Sequence, residues 1–271
     1  MSRAKTDHPA PLTFVLVHGA WHGGWCWESV VHQLRARGHQ AYAPTLTGLG
    51  ERSHLLNAEV GLETHIQDVM NVIEYEGLTD VILVGHSYGG VPAMGAASRC
   101  FNALRCLVML DALVLDHGEN VFSHLPPSRV SAHLTNALRF GQGHSIPVPA
   151  AESFGVALHD HKALIEARCT PHPLKTYEDS LVAPNASGMN VPKVYVYCSA
   201  PSYEPLARSR ARVQARPDWA WTELATGHNA MMSAPDLLVQ TLLDLAAGRT
   251  KNQPDVEPPS WLEPAFNYTL P

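Results

Sequence analysis

Val81-Ile82-Leu83-Val84-Gly85-His86-Ser87-Tyr88-Gly89-Gly90 is the stretch on which the reading of this chain turns. The apolar run Val81 to Val84 predicts a buried strand. The small residues from Gly90 to Ser98 predict a helix that packs closely under a sheet, with Pro92 in its first turn, where a missing N–H costs nothing. Between the two stands G-x-S-x-G. A serine at a sharp strand-to-helix turn needs small residues two positions before and after it, because larger ones clash in the strained backbone. Ser87 is thereby presented at the strand end as a candidate nucleophile.

Upstream, Phe14-Val15-Leu16-Val17 predicts a second short strand that runs into His18-Gly19-Ala20-Trp21-His22-Gly23-Gly24-Trp25. Acyl transfer passes through a tetrahedral oxyanion, and backbone N–H groups fixed in a glycine-bearing loop stabilise it without reorganising. Ala20 and Tyr88, the residue after the serine, are the candidate donors, so the two motifs specify one site. The third segment, Thr226-Gly227-His228-Asn229-Ala230-Met231-Met232, follows a predicted strand at Trp219 to Leu224 and precedes a helix beginning near Pro235. His228 is the candidate base, since it follows the serine in chain order and sits on a loop at a strand end. Of the sixteen histidines, His8, His32, His39, His54, His159, His161 and His172 read as surface or cap residues, and His18 and His86 as structural or lining residues.

From about Leu12 to Gly248 the chain resembles the α/β-hydrolase superfamily, in the branch of plant methyl-salicylate esterases, hydroxynitrile lyases and related bacterial esterases. The resemblance is carried by HGAWHGGWCW at His18 to Trp27, GHSYGG at Gly85 to Gly90, LDA at Leu110 to Ala112 and GHNAMMSAP at Gly227 to Pro235. The lyases of the branch carry threonine where Ala20 stands and lysine where Asn229 stands. The resemblance therefore implies hydrolysis of a small apolar or aromatic carboxylic ester through an acyl-enzyme, without metal or organic cofactor. Carbamates and thioesters suit the same machinery. Lyase or cofactor-free oxygenase chemistry in the same pocket, or a small-molecule receptor that keeps the triad, are the alternative readings.

One position departs from the family. The triad acid is expected after the strand Lys193 to Cys198, but Ser199-Ala200-Pro201-Ser202-Tyr203-Glu204 holds no aspartate, and a proline can neither accept the imidazole proton nor orient the ring. Asp111 is the leading candidate, because it ends the apolar strand Leu107 to Leu110 and strand ends on that edge converge on the site. Haloalkane dehalogenases resemble this arrangement. Glu204, or a dyad without an acid, are the alternatives.

Strands and helices alternate, which predicts a mostly parallel sheet covered on both faces. Helices are expected over Cys26 to Arg37, Glu63 to Glu76 and Asp236 to Ala247, each stopped by a following glycine. Residues 1–114 and 191–250 form the expected core. Residues 115–190, broken by prolines, form an expected cap inserted after the sixth strand, and 251–271 a tail that wraps the surface or a neighbouring subunit in a homodimer, or stays disordered. Trp21, Trp25, His86 and Phe140 are the expected substrate contacts, and Phe122, Leu125, Leu138, Phe154, Leu158 and Tyr177 further candidates for the apolar wall.

Of the 271 residues, 45% are hydrophobic and 16% charged, enough apolar content for one large domain. A net charge of −6 without a basic cluster argues against nucleic acid as a partner. No run approaches the roughly 18 apolar residues a membrane span needs. Five cysteines, an odd count without Cys-x-x-Cys spacing, argue against a disulfide framework and a zinc site. A polar, proline-containing start carries no targeting segment, so the expected compartment is the cytoplasm.

Overall fold

A computed structural model describes residues 10–155, 159–183 and 191–249. In chain order the core runs β1 (Thr13–Val17), α1 (Glu28–Ala36), β2 (Gln40–Tyr42), α2 (Leu62–Tyr75), β3 (Val81–His86), α3 (Gly90–Cys100) and β4 (Leu104–Leu110). An inserted segment follows, with α4 (Pro127–Phe140), β5 (Ser145–Ile146), α5 (His159–Arg168), β6 (His172–Pro173) and α6 (Lys175–Glu178). The core resumes with β7 (Lys193–Cys198), α7 (Ala207–Gln214), β8 (Trp219–Leu224), α8 (Ala230–Ser233) and α9 (Pro235–Ala246).

Six strands pair in parallel in the order β2-β1-β3-β4-β7-β8, while β5 and β6 make a separate antiparallel pair. Alternate residues of each strand point to opposite faces, and both faces are apolar. Val15, Val17, Leu83 and Met109 pack with Ile66, Val69, Ala93 and Ala97 of α2 and α3. Phe14, Leu16, Ile82, Val84 and Val108 pack on the other side with Val30 and Leu34 of α1 and Leu238 and Leu242 of α9. That double burial is why these strands read as continuous hydrophobic runs.

Strand order reverses at β1, which lies between β2 and β3. Connections leave the carboxyl ends of β1 and β3 in opposite directions and open a crevice there. The segments His18 to Trp25 and Ser87 to Gly90 both start at that crevice. In register, His86 of β3 lies opposite Leu110 of β4, so the next residues on each strand, Ser87 and Asp111, leave the sheet side by side.

The insertion opens after the fourth strand of the sheet, not the sixth, because among the described residues no strand precedes Thr13. Its core is largely shared with the main domain: Ala137, Ile146, Leu174 and Tyr177 belong to the cluster on the α2–α3 face, and a small second cluster holds Ala151, Phe154 and Ile165. No helix among the described residues is long and apolar enough to cross a membrane. The tail at 251–271 lies outside the described residues, as do His8 and Leu158.

Candidate active site

Two glycines make the turn at Ser87 sterically possible. A Cβ on Gly85 would stand 2.7 Å from Gly90 Cα, and one on Gly89 would stand 2.4 Å from the His18 carbonyl oxygen. The turn forces Ser87 itself to a φ of 53°, in the left-handed region. Among the described residues five non-glycines share that region, and three of them, Trp21, Ser87 and Asp111, lie in or against the crevice. Backbone strain of this kind clusters at functional sites, which makes this crevice the candidate site.

Three side chains meet there in line. The Ser87 hydroxyl donates to His228 Nε2 at 3.1 Å, and His228 Nδ1–H donates to Asp111 Oδ2 at 2.7 Å. Asp111 is fully buried, its amide N–H donates to the Val196 carbonyl, and Leu113 N–H donates to the carbonyl of Ser87, which ties the turn after β4 to the serine turn. Among the described residues the second carboxylate oxygen of Asp111 has no hydrogen-bond partner; the guanidinium of Arg210 stands 3.8 Å from it. Arg210 also donates to the Tyr203 carbonyl at 2.8 Å, and the Tyr203 ring stacks on the His228 imidazole, centroids 4.0 Å apart and nearly parallel. Glu204, by contrast, is exposed on its turn.

The loop after β1 is braced by its own histidines. Leu46 N–H donates to His18 Nε2, which leaves Nδ1–H to donate to the Gly19 carbonyl at 2.8 Å. A planar trans peptide fixes its N–H opposite its C=O, so holding the Gly19 carbonyl also aims the N–H of Ala20. His22 Nδ1–H holds the next carbonyl, that of Ala20, at 2.8 Å. Gly19 packs directly on the nucleophile, since a Cβ there would stand 3.0 Å from Ser87 Cβ. Among the described residues no acceptor engages the N–H of Ala20 or of Tyr88.

Burial sets the charge of the surrounding imidazoles. It pushes His18 down to about 3 and His22 to about 4, and holds His86 well below the ordinary histidine value. Neutral His86 donates Nε2–H to the His228 carbonyl at 2.9 Å and adds no positive charge beside the base.

Above this line lies a cavity of about 320 Å³ with Trp21, Tyr88, Phe154, Tyr177 and Tyr203 in its wall. Of the expected substrate contacts, Trp21 and His86 line it. Trp25 does not: it stacks against His22, centroids 5.4 Å apart, away from the cavity wall. Phe140 does not either, being 73% exposed on the outside of α4, as is Leu138 at 76%. Leu125, Phe154 and Tyr177 line the wall, whereas Phe122 packs behind it on Tyr177. Asn229 is committed elsewhere, its amide donating to the Phe154 carbonyl at 2.9 Å. Sequence reasoning missed Tyr203, Arg210 and His65; the last accepts from the Tyr88 hydroxyl at 2.8 Å and donates to the Thr47 carbonyl. A tyrosine in the quoted turn after β7 was the available signal for the first, and none marked the others.

Residues 14–241 match the model of the alpha/beta hydrolase family. The chain belongs to the α/β-hydrolase family. Within that family it is 42% identical to a carbendazim hydrolyzing esterase of Nocardioides sp. (strain SG-4G), over 86% of this chain and 98% of that one. It is 26% identical to methylesterase 10 of Arabidopsis thaliana, over 86% and 91% of the two chains. Among solved structures, an extracellular alpha/beta-hydrolase from a Paenibacillus species superposes with a TM-score of 0.76 at 21% identity, covering 89% of this α/β-hydrolase and all of the other.

Proposed function

We propose that this α/β-hydrolase is a serine esterase that cleaves small carboxylic esters with an apolar or aromatic body through an acyl-enzyme on Ser87. The observation that carries the reading is the continuous line from the Ser87 hydroxyl through His228 to the buried Asp111 at the foot of the cavity. His228 Nε2 takes the serine proton as Oγ attacks the carbonyl, and Asp111 holds the ring in the tautomer that can accept it. Developing negative charge on the carbonyl oxygen is met by the N–H groups of Ala20 and Tyr88. The imidazolium then protonates the departing alcohol. A water molecule, deprotonated by the same nitrogen, attacks the acyl carbon, releases the acid and returns the proton to Ser87.

Esterase activity in relatives at 42% and 26% identity supports the reaction class. A carbamate or thioester is the second reading, because the same machinery serves both; the first of those relatives is named for hydrolysing carbendazim. Lyase chemistry is disfavoured, since Ala20 lacks a hydroxyl and the amide of Asn229 is engaged by the Phe154 carbonyl. Five free cysteines suit a reducing compartment, the cytoplasm.

The test is a fluorophosphonate probe with mass spectrometry, run beside a p-nitrophenyl ester assay. An adduct on Ser87 together with burst release supports the esterase. Labelling without turnover would point to a ligand receptor, and absence of labelling on Ser87 would remove the nucleophile from the scheme.

A further inference from the structure

Helix α4 sets polar side chains over the mouth of the cavity and leaves some of its apolar ones to solvent. A surface helix ordinarily turns its apolar stripe inward and its polar stripe to water. In α4, Leu134, Leu138 and Phe140 face outward, while Arg129, His133 and Asn136 line the cavity above Ser87. Those three follow an i, i+4, i+7 spacing and therefore share one helical face. Ala137, fully buried, anchors the helix to the core.

Within the chain the Arg129 guanidinium meets the Tyr203 hydroxyl, while Arg129 and Asn136 stand open to water and His133 is half-buried. Among the described residues no carboxylate pairs with Arg129, no hydrogen bond engages the side chain of His133 or Asn136, and the cavity wall carries no aspartate or glutamate. His133 is set among the rings of Trp21, Phe122 and Tyr177, with centroids at 6.3, 6.4 and 5.9 Å. Arg129 lies beside Tyr203, the ring stacked on His228, so its charge stands about one aromatic ring from the base.

We propose that Arg129, His133 and Asn136 form a recognition strip for the end of the substrate remote from the scissile carbonyl, and that the preferred ester carries a hydrogen-bond acceptor there, a carboxylate above all, on a flat aromatic body. This rests on the serine-esterase reading for which end of the cavity holds the carbonyl. Guanidinium has donors only, and imidazole and amide can both donate, so the partner common to the three is an acceptor. A carboxylate suits arginine best because it accepts two parallel N–H bonds. It meets no like charge in this wall. A hydrocarbon group in the same place would strip water from three polar side chains and return nothing, and sites of that kind reject analogues lacking the partner.

Three methyl benzoates test the strip, differing only in a para carboxylate, acetyl or isopropyl group. The expected order of kcat/KM is carboxylate, acetyl, isopropyl, with at least tenfold between the first and last and the difference residing in KM. In Arg129→Met the carboxylate-to-isopropyl ratio falls to near one, and in Asn136→Leu the acetyl-to-isopropyl ratio falls. Calorimetric titration of the same esters into Ser87→Ala protein, which removes turnover, is expected to give tighter carboxylate binding that the added Arg129→Met change abolishes. Equal hydrolysis of all three esters by the wild type, or a carboxylate preference that survives Arg129→Met, overturns the strip and leaves the esterase intact. If no ester is hydrolysed, the esterase reading fails and the titration alone decides: equal affinities overturn the strip as well.

Discussion

A serine hydroxyl is a weak nucleophile at neutral pH, and the proposed mechanism asks the neighbours of Ser87 to change that. The decisive neighbour is Asp111, whose contact with His228 Nδ1 fixes which nitrogen faces the hydroxyl. Asp111→Asn places an amide where the ring must donate, favouring the wrong tautomer. The expected result is a fall in kcat on the order of 10⁴ with the fold retained. Glu204→Gln, on the exposed turn, is expected to leave kcat within about twofold; steady-state kinetics with a p-nitrophenyl ester compare the two. Wall residues separate as cleanly. Trp21 lines the cavity and is pinned by its indole N–H to the Ile146 carbonyl at 3.1 Å. Trp21→Ala is expected to raise KM severalfold to about tenfold, in keeping with about 1–1.5 kcal/mol of lost aromatic contact. Phe140→Ala, on the solvent side of α4, is expected to leave KM unchanged, and a KM shift equal to that of Trp21→Ala would return Phe140 to the pocket.

At the level of elements, the serine turn is held by what its glycines leave out. Gly89→Ala drives a Cβ into the carbonyl oxygens of His18 and Val17, at 2.4 and 2.6 Å, and backbone atoms of a central strand's exit cannot yield cheaply. A loss of about 3 kcal/mol or more in unfolding free energy, with activity lost too, is expected. Gly118→Ala meets open space and is limited to the cost of a left-handed φ of 88°, about 1–2 kcal/mol. Urea unfolding of the two variants measures the contrast, and equal losses would show that crowding at Gly89 is not what matters. The same elements show what a sequence can and cannot disclose. β7 and β8 run over Lys193–Cys198 and Trp219–Leu224 as their apolar runs predict, and α2 and α9 lie within a residue of their periodic patterns, because burial against one sheet writes itself into spacing. α1 begins at Glu28 instead of Cys26, since Gly24–Trp27 closes first into a tighter 3₁₀ turn. The three segments bearing Ser87, Ala20 and His228 were legible as motifs, and Asp111 from its strand. Trp25 and Phe140 were misplaced for a physical reason: aromatic character signals burial, and α4 leaves Phe140 to solvent while Trp25 spends its face on His22. Arg210 and His65 reach the site from α7 and α2, far along the chain, and no local pattern announces such contacts.

For the whole molecule, surface charge matters less than the imidazoles enclosed within it. His18, His22, His65, His86 and His172 are all buried, and desolvation lowers each: His18 to about 3, His22 and His65 to about 4, His86 and His172 well below the ordinary value. Their neutral forms are structural. His172 donates Nε2–H to Thr176 while accepting from the Trp21 amide, which joins the insertion to the loop after β1. In the unfolded chain each histidine titrates near 6.5. Between that value and the lowered folded ones, the unfolded state binds protons that the folded state refuses. Stability is therefore complete above about pH 6.5 and drains away as the pH falls below it, by on the order of 1 kcal/mol per imidazole for each pH unit. Carboxylates act lower down: Glu119, held well below its ordinary range by Arg212, loses its contribution only beneath the usual carboxylate value near 4.5. The urea midpoint is accordingly expected to be level from pH 8 to 7 and to drop steeply between pH 6 and 5, before any carboxylate is protonated in quantity. A midpoint unchanged down to pH 5 would mean that these rings already carry protons in the native state, and with them that the His18 brace behind the Ala20 amide is drawn with the wrong hydrogen.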